Sequence, residues 1–203
     1  MKIESLPTAP QRVALTPKSI DLLEGRQLYH AAAMDQAEAA GSQAPLKHWV
    51  GYALMSERLG DSPATEETWR TLRAHPEYSV SQESAVVRHE TTALLAAGET
   101  GLASQCLEHC ARVFDGDNPA GQAHTLSLHA AIRLAEGDTH GTLYYAHNAN
   151  KLWDRASEAG IAPNPELRYL NERYARTAQE LMVGETVAAA AIAADQEPVL
   201  AAA

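Results

Sequence analysis

The chain has 203 residues, a mass of 21.8 kDa and 45 % apolar residues, enough to bury a core, with a formal net charge of −10 and a pI near 5.3. Its 16 Lys and Arg are scattered rather than clustered, which excludes DNA and RNA as partners because phosphate neutralisation needs grouped cations. The longest apolar run, Val187 to Ala194, is far short of the roughly 20 residues that cross a bilayer, and two cysteines without an export signal point to the cytoplasm.

Residues 1–16 carry charges and prolines where a secretory signal needs a continuous apolar stretch, and they read as a flexible leader. From Pro17 onward the apolar spacing is helical, as in Leu46, Trp49, Val50, Ala53 and Leu54, and no segment alternates like a strand. Thr16-Pro17, Ser62-Pro63, Asn118-Pro119 and Asn164-Pro165 each set a capping side chain before a proline, the favoured start of a helix. Pro45 and Pro76 mark further breaks. The expected architecture is all-α, a single domain over 17–194. Its nine helices fall at 17–40 (with Gly25 a weak point), 45–59, 63–74, 81–97, 101–114, 119–136, 140–160, 165–183 and 187–194. Residues 195–203 read as a flexible tail.

One string recurs: Leu59-Gly60-Asp61-Ser62, Ala97-Gly98-Glu99-Thr100, Glu136-Gly137-Asp138-Thr139 and Val183-Gly184-Glu185-Thr186. Physically it is a corner between helices. The glycine takes the left-handed conformation that ends one helix, and the hydroxyl two residues later is expected to cap the next. With the first three glycines in register, Trp49, Val87 and Leu126 align, as do Ala53, Thr91 and Ala130. In the second helices Thr65, Ala103 and Thr142 align, then Trp69, Leu107 and Ala146, then Leu72, Cys110 and Ala149.

In this register the chain resembles the tetratricopeptide-repeat superfamily over roughly 45–186, with units longer than that family's by four or five residues. The resemblance implies a right-handed superhelix of antiparallel helix pairs and a non-enzymatic role, adaptor or chaperone-like, binding a peptide or partner protein in a groove. The groove positions are Lys47, Glu57, Arg58, Arg88, Thr92, His124 and Ser127, with Lys47 and Arg88 paired to hold a carboxylate.

No catalytic residue, cofactor or metal site is expected. Nucleophile elbow, phosphate loop and dinucleotide fingerprint are all missing, and His89-Glu90-Thr91-Thr92-Ala93 lacks the second His of a zinc-protease helix. The string Cys106-Leu107-Glu108-His109-Cys110 has too few ligands for a structural zinc and sits mid-helix, so both thiols are expected to pack in the core with His109 toward solvent. Two other readings stand beside the groove. One is a small-ligand or metal binder, or an enzyme, using His124, His129 or His147 between hairpins. The other is a regulatory or secretion-associated subunit of a larger complex, with helix 187–194, which has no polar face, as a homodimer surface.

Overall fold

A computed structural model describes residues 14–60, 62–76 and 78–200, with the side chains of 62–64, 67, 115 and 187–200 excepted. Residues 1–13 of the leader, the apolar surface expected at 187–194 and residues 201–203 of the tail lie outside the described residues and side chains. The chain divides into two compact units, Met1–Gly121 and Gln122–Ala203.

Among the described residues there are eight α-helices and no strand: α1 (Pro17–Ala39), α2 (Leu46–Leu59), α3 (Ser62–Arg73), α4 (Val80–Ala96), α5 (Thr100–Val113), α6 (Pro119–Ala135), α7 (Thr139–Glu158) and α8 (Pro165–Leu200). A 3-10 turn, Phe114–Gly116, follows α5. The all-α expectation therefore holds, and α1 runs unbroken through Gly25.

Three of the four corners form as expected. Gly60, Gly98 and Gly137 have φ of 91°, 78° and 78°, a region in which a Cβ would crowd the following carbonyl. At the Gly98 and Gly137 corners, however, the hydroxyl is not the cap. Asp138 is the N-cap of α7 and its Oδ1 accepts the amide of Gly141 at 2.8 Å, so Thr139 is already the first helical residue. Glu99 is the N-cap of α5 but turns its carboxylate to Ser19 Oγ (2.9 Å) and Lys18 Nζ (3.4 Å). These shifts move the starts of α5 and α7 one residue ahead of expectation.

The fourth corner does not exist. The chain passes through Gly184 as ordinary helix, and Thr186 returns its hydroxyl to the carbonyl of Met182 (2.9 Å), so the two helices expected at 165–183 and 187–194 are the single α8. The proline starts hold where side chains are described. Thr16 accepts from the amide of Ser19, Asn118 from Gly121, and Asn164 from Glu166.

In the first unit α1 packs on α2, α2 on α3 and α4, and α4 on α5. The pair α4/α5 is antiparallel: the thiol of Cys106 reaches the carbonyl of Val87 (3.9 Å) while Cys110, further along, reaches Ser84, further back (3.7 Å). Leu23, Val50, Leu54, Val87, Leu94 and Leu107 form its core. In the second unit α7 and α8 run antiparallel, joined by Asn171 to the carbonyl of Ala146 (3.0 Å) and Arg168 to Asp154 (3.1 Å), over a core with Ala130, Ile132, Ala149, Trp153 and Ala178. No described helix is long and apolar enough to cross a membrane.

The glycines separate two roles that sequence alone equates. Gly98→Ala should lower stability by about 1 kcal/mol, because alanine resists the left-handed region, whereas Gly184→Ala should raise it by about 0.5–1 kcal/mol as an interior helix position. Denaturant unfolding followed by circular dichroism measures both signs.

Candidate functional site

The buried face of α4 carries Glu83, Val87, Glu90 and Leu94 at helical spacing, two carboxylates in a stripe where a helix ordinarily presents apolar groups. A buried carboxylate requires partners, and the two acids find them on different helices. Glu83 accepts hydrogen bonds from His109 of α5 and from the hydroxyl of Tyr78 (2.5 Å). The His109 ring stacks on Trp69 of α3 with centroids 4.5 Å apart. His109 is thus buried at 1 % exposure, correcting the expectation that it faces solvent: Glu83 supplies the polar partner that lets an imidazole enter the core. Both cysteines of the same string are buried, as expected, and burial pushes the Cys106 thiol up to about 11, so it is un-ionised at neutral pH.

Glu90 accepts from Arg26 of α1 and lies 3.5 Å from Nε2 of His30, also on α1. Burial alone would raise its pKa, but the contacts with His30 and Arg26 outweigh burial and hold it at about 2. The second nitrogen of His30, Nδ1, meets Nδ1 of His48 on α2 at 3.3 Å. Tyr29 covers this pair, its ring edge-on to both imidazoles at 5.1 and 5.7 Å. The close approach depends on Gly51: a Cβ there would overlap the imidazole of His30, which lies directly on the backbone of α2.

Around this core opens a cavity of about 320 Å³ lined by Tyr29, His30, Lys47, His48, His89 and Glu90, together with Ala85 and Val86. Three helices of the first unit thus bring one tyrosine, three histidines, one lysine and one carboxylate to a single concavity. Burial, then the neighbouring His30 and Lys47, lower the pKa of His48, so it is neutral at pH 7. A second depression, lined by Leu15, Ile20, Glu24, Gln27, Leu28 and Leu59, offers a less varied set of polar groups. No group of three or more His, Cys, Asp or Glu among the described residues is placed to hold a metal ion.

Of the residues expected in a groove, Lys47 alone lines this cavity. Arg88, expected beside it as an exposed cation, is buried and aimed elsewhere, with Nη1 on Asp117 Oδ2 at 2.6 Å and on the carbonyl of Gly121 at 3.2 Å. Glu57 and Arg58 belong to a separate cluster in which Glu57 accepts from Arg58 (3.1 Å) and from Arg112 of α5 (3.0 Å). Burial opposes ionisation of Glu57, yet these arginines hold its pKa below the usual carboxylate range. Thr92 turns its hydroxyl to the carbonyl of Arg88 (2.9 Å). His124 and Ser127 lie in the second unit, and Ser127 is buried with its hydroxyl on Ala123 (2.9 Å).

The histidines proposed as an alternative site sit in that second unit. His129 stacks on Tyr145 at 4.9 Å, desolvation lowers its pKa to about 4, and His147 is exposed. His30, His48 and His89 were not legible as a group, being 18 and 41 residues apart on three helices. The available signal was Glu83 and Glu90 in the apolar stripe of α4. Compared with family models, with curated proteins and with solved structures, the chain matches none.

Two substitutions test the geometry. The folded pKa of Glu90 lies below its ordinary 4.5, so its contribution is full above that pH and is lost as pH falls from about 4.5 to about 2. Glu90→Gln should remove that acid dependence, on the order of 3 kcal/mol, read from urea unfolding across this window. Gly51→Ala should destabilise by about 1–3 kcal/mol despite alanine's better helix propensity, because the methyl displaces His30, and the imidazole proton resonances should move with it.

Proposed function

We propose that this chain is a non-enzymatic binding module of tetratricopeptide-like helical hairpins. It takes an acidic group of a peptide or partner protein in the cavity of Lys47, His48 and His89. The reading of the hairpins as a right-handed superhelix belongs to the same proposal. It is supported by the register of the repeat: Ala53, Thr91 and Ala130 are all fully buried, as are Leu72, Cys110 and Ala149. A repeated small or apolar position at each helix crossing is what stacking hairpins require.

The cavity carries the functional reading. Lys47 and His89 are exposed donors at its rim, Tyr29 adds an exposed phenol, and the one carboxylate in it, Glu90, is already occupied by Arg26 and His30. An incoming anion therefore meets donors rather than an unpaired negative charge, on a chain whose net charge is otherwise −10.

A small carboxylic acid is a second reading, favoured by the cavity volume, which lies at the lower end for small-molecule sites. Calorimetric titration with pentaglutamate, and with glutarate as the small-acid arm, distinguishes them by which binds. Lys47→Glu should weaken the better ligand at least tenfold, the magnitude of one charge-assisted hydrogen bond. Unchanged affinity in that variant would remove the cavity as the recognition site.

A further inference from the structure

Glu90, His30 and His48 lie in a line of polar contacts with only one end open: Nε2 of His30, buried without a hydrogen-bond partner, faces Glu90, and Nδ1 of His30 is hydrogen-bonded to Nδ1 of His48. Glu90 is a carboxylate and accepts only, so the His30 nitrogen beside it, Nε2, carries the proton. With both imidazoles neutral, His30 Nδ1 is a lone pair, and in the hydrogen bond between the two rings, 3.3 Å long, it accepts from Nδ1–H of His48. With Nδ1 of His48 so committed, the nitrogen left for a ligand is Nε2, and in this neutral state it is a lone pair, an acceptor. A carboxylate cannot bind an acceptor. We infer that the site binds a carboxylate together with one proton, and that the His30–His48 pair is the device that stores it.

The balance is as follows. One proton from solvent is added at Nε2 of His48, and the proton on Nδ1 of His48 moves across to Nδ1 of His30. His48 ends neutral with Nε2–H donating to the ligand carboxylate. His30 ends as imidazolium, with Nδ1–H donating to His48 and Nε2–H facing Glu90. The new positive charge thus comes to rest in the core against an existing carboxylate rather than beside Lys47 at the cavity surface, where like charge would oppose it.

The surrounding groups fit this assignment from every packed helix. On α1, Arg26 already neutralises one side of Glu90 and Tyr29 packs in edge contacts against both imidazoles. On α2, Lys47 lines the same cavity as His48, and Gly51 lets the His30 ring lie on the backbone. On α4, His89 and Glu90 line the cavity, and on α5 the nearby Cys106 is an uncharged thiol. His89 is exposed and lines the cavity outside the His30–His48 contact, so a substitution there leaves that contact in place.

This inference rests on the carboxylate-binding reading above and deepens it. The test is calorimetry of the full chain with pentaglutamate at pH 7 in two carboxylate-free buffers of different protonation heat. The expected result is uptake of close to one proton per bound peptide and an affinity that tightens up to about tenfold for each unit fall in pH. His48→Asn and His30→Gln, each checked for helicity and cooperative melting, should abolish the uptake, whereas His89→Gln should weaken binding and keep it. Nitrogen-15 shifts of the imidazoles in the unsubstituted chain give an independent reading: His48 Nε2 should change from acceptor to N–H on binding. Binding without proton uptake, or uptake lost in His89→Gln and kept in His48→Asn, would overturn the relay and leave the carboxylate site standing. Binding of neither pentaglutamate nor glutarate would overturn both; if glutarate alone binds, the same proton uptake is expected with it.

Discussion

The first unit is organised around the burial of one carboxylate. Glu90 is almost wholly excluded from water, and a charge in that position is tolerable only if cations and donors enclose it. Arg26 and His30 come from α1 to do so, which ties α1 to α4 through side chains and draws His30 across α2. That crossing is possible only because Gly51 has no side chain, and it brings His48 within reach. The cavity is therefore a consequence of the way a buried charge is satisfied, not a gap left between helices.

The same helix repeats the device one heptad earlier. Glu83, on the same stripe, is satisfied by Tyr78 and by His109 of α5, with Trp69 stacked behind the imidazole. The two acids differ in what lies beyond their histidines. Beyond His109 is an indole and closed core, so that pair secures the α3, α4 and α5 packing. Beyond His30 is a second imidazole and open space, so the same chemistry becomes a site. Placement of a third group, rather than the Glu–His contact itself, separates structure from function here.

Arg88 and Lys47 illustrate why sequence register misjudges surface. Both fall at positions that a repeat would direct toward a groove, yet Arg88 lies beside a loop carboxylate, Asp117, that draws it into the core. Asp117 sits in the connection after α5, where no periodicity operates, and nothing in the local sequence announces that it will meet α4. The cysteine string went the other way. Its thiols were legible as packing groups, but His109 was not legible as buried because its partner lies 26 residues earlier.

What the sequence by itself determined is the local code: helix spacing, prolines with caps before them, and the glycine corners at 60, 98 and 137, each an interaction within a few residues. The same code misread Gly184, since a glycine permits a left-handed turn without compelling one, and whether a helix stops is settled by what the next segment can pack against. Only the tertiary structure decided the site. Arg26, His30, His48 and Glu90 lie on three helices, and of these only Glu90, in the apolar stripe of α4, stands out in its own segment. Their chemistry arises from the low-dielectric junction where the helices cross, because there an unpaired charge is costly and every polar atom must find its partner across the chain.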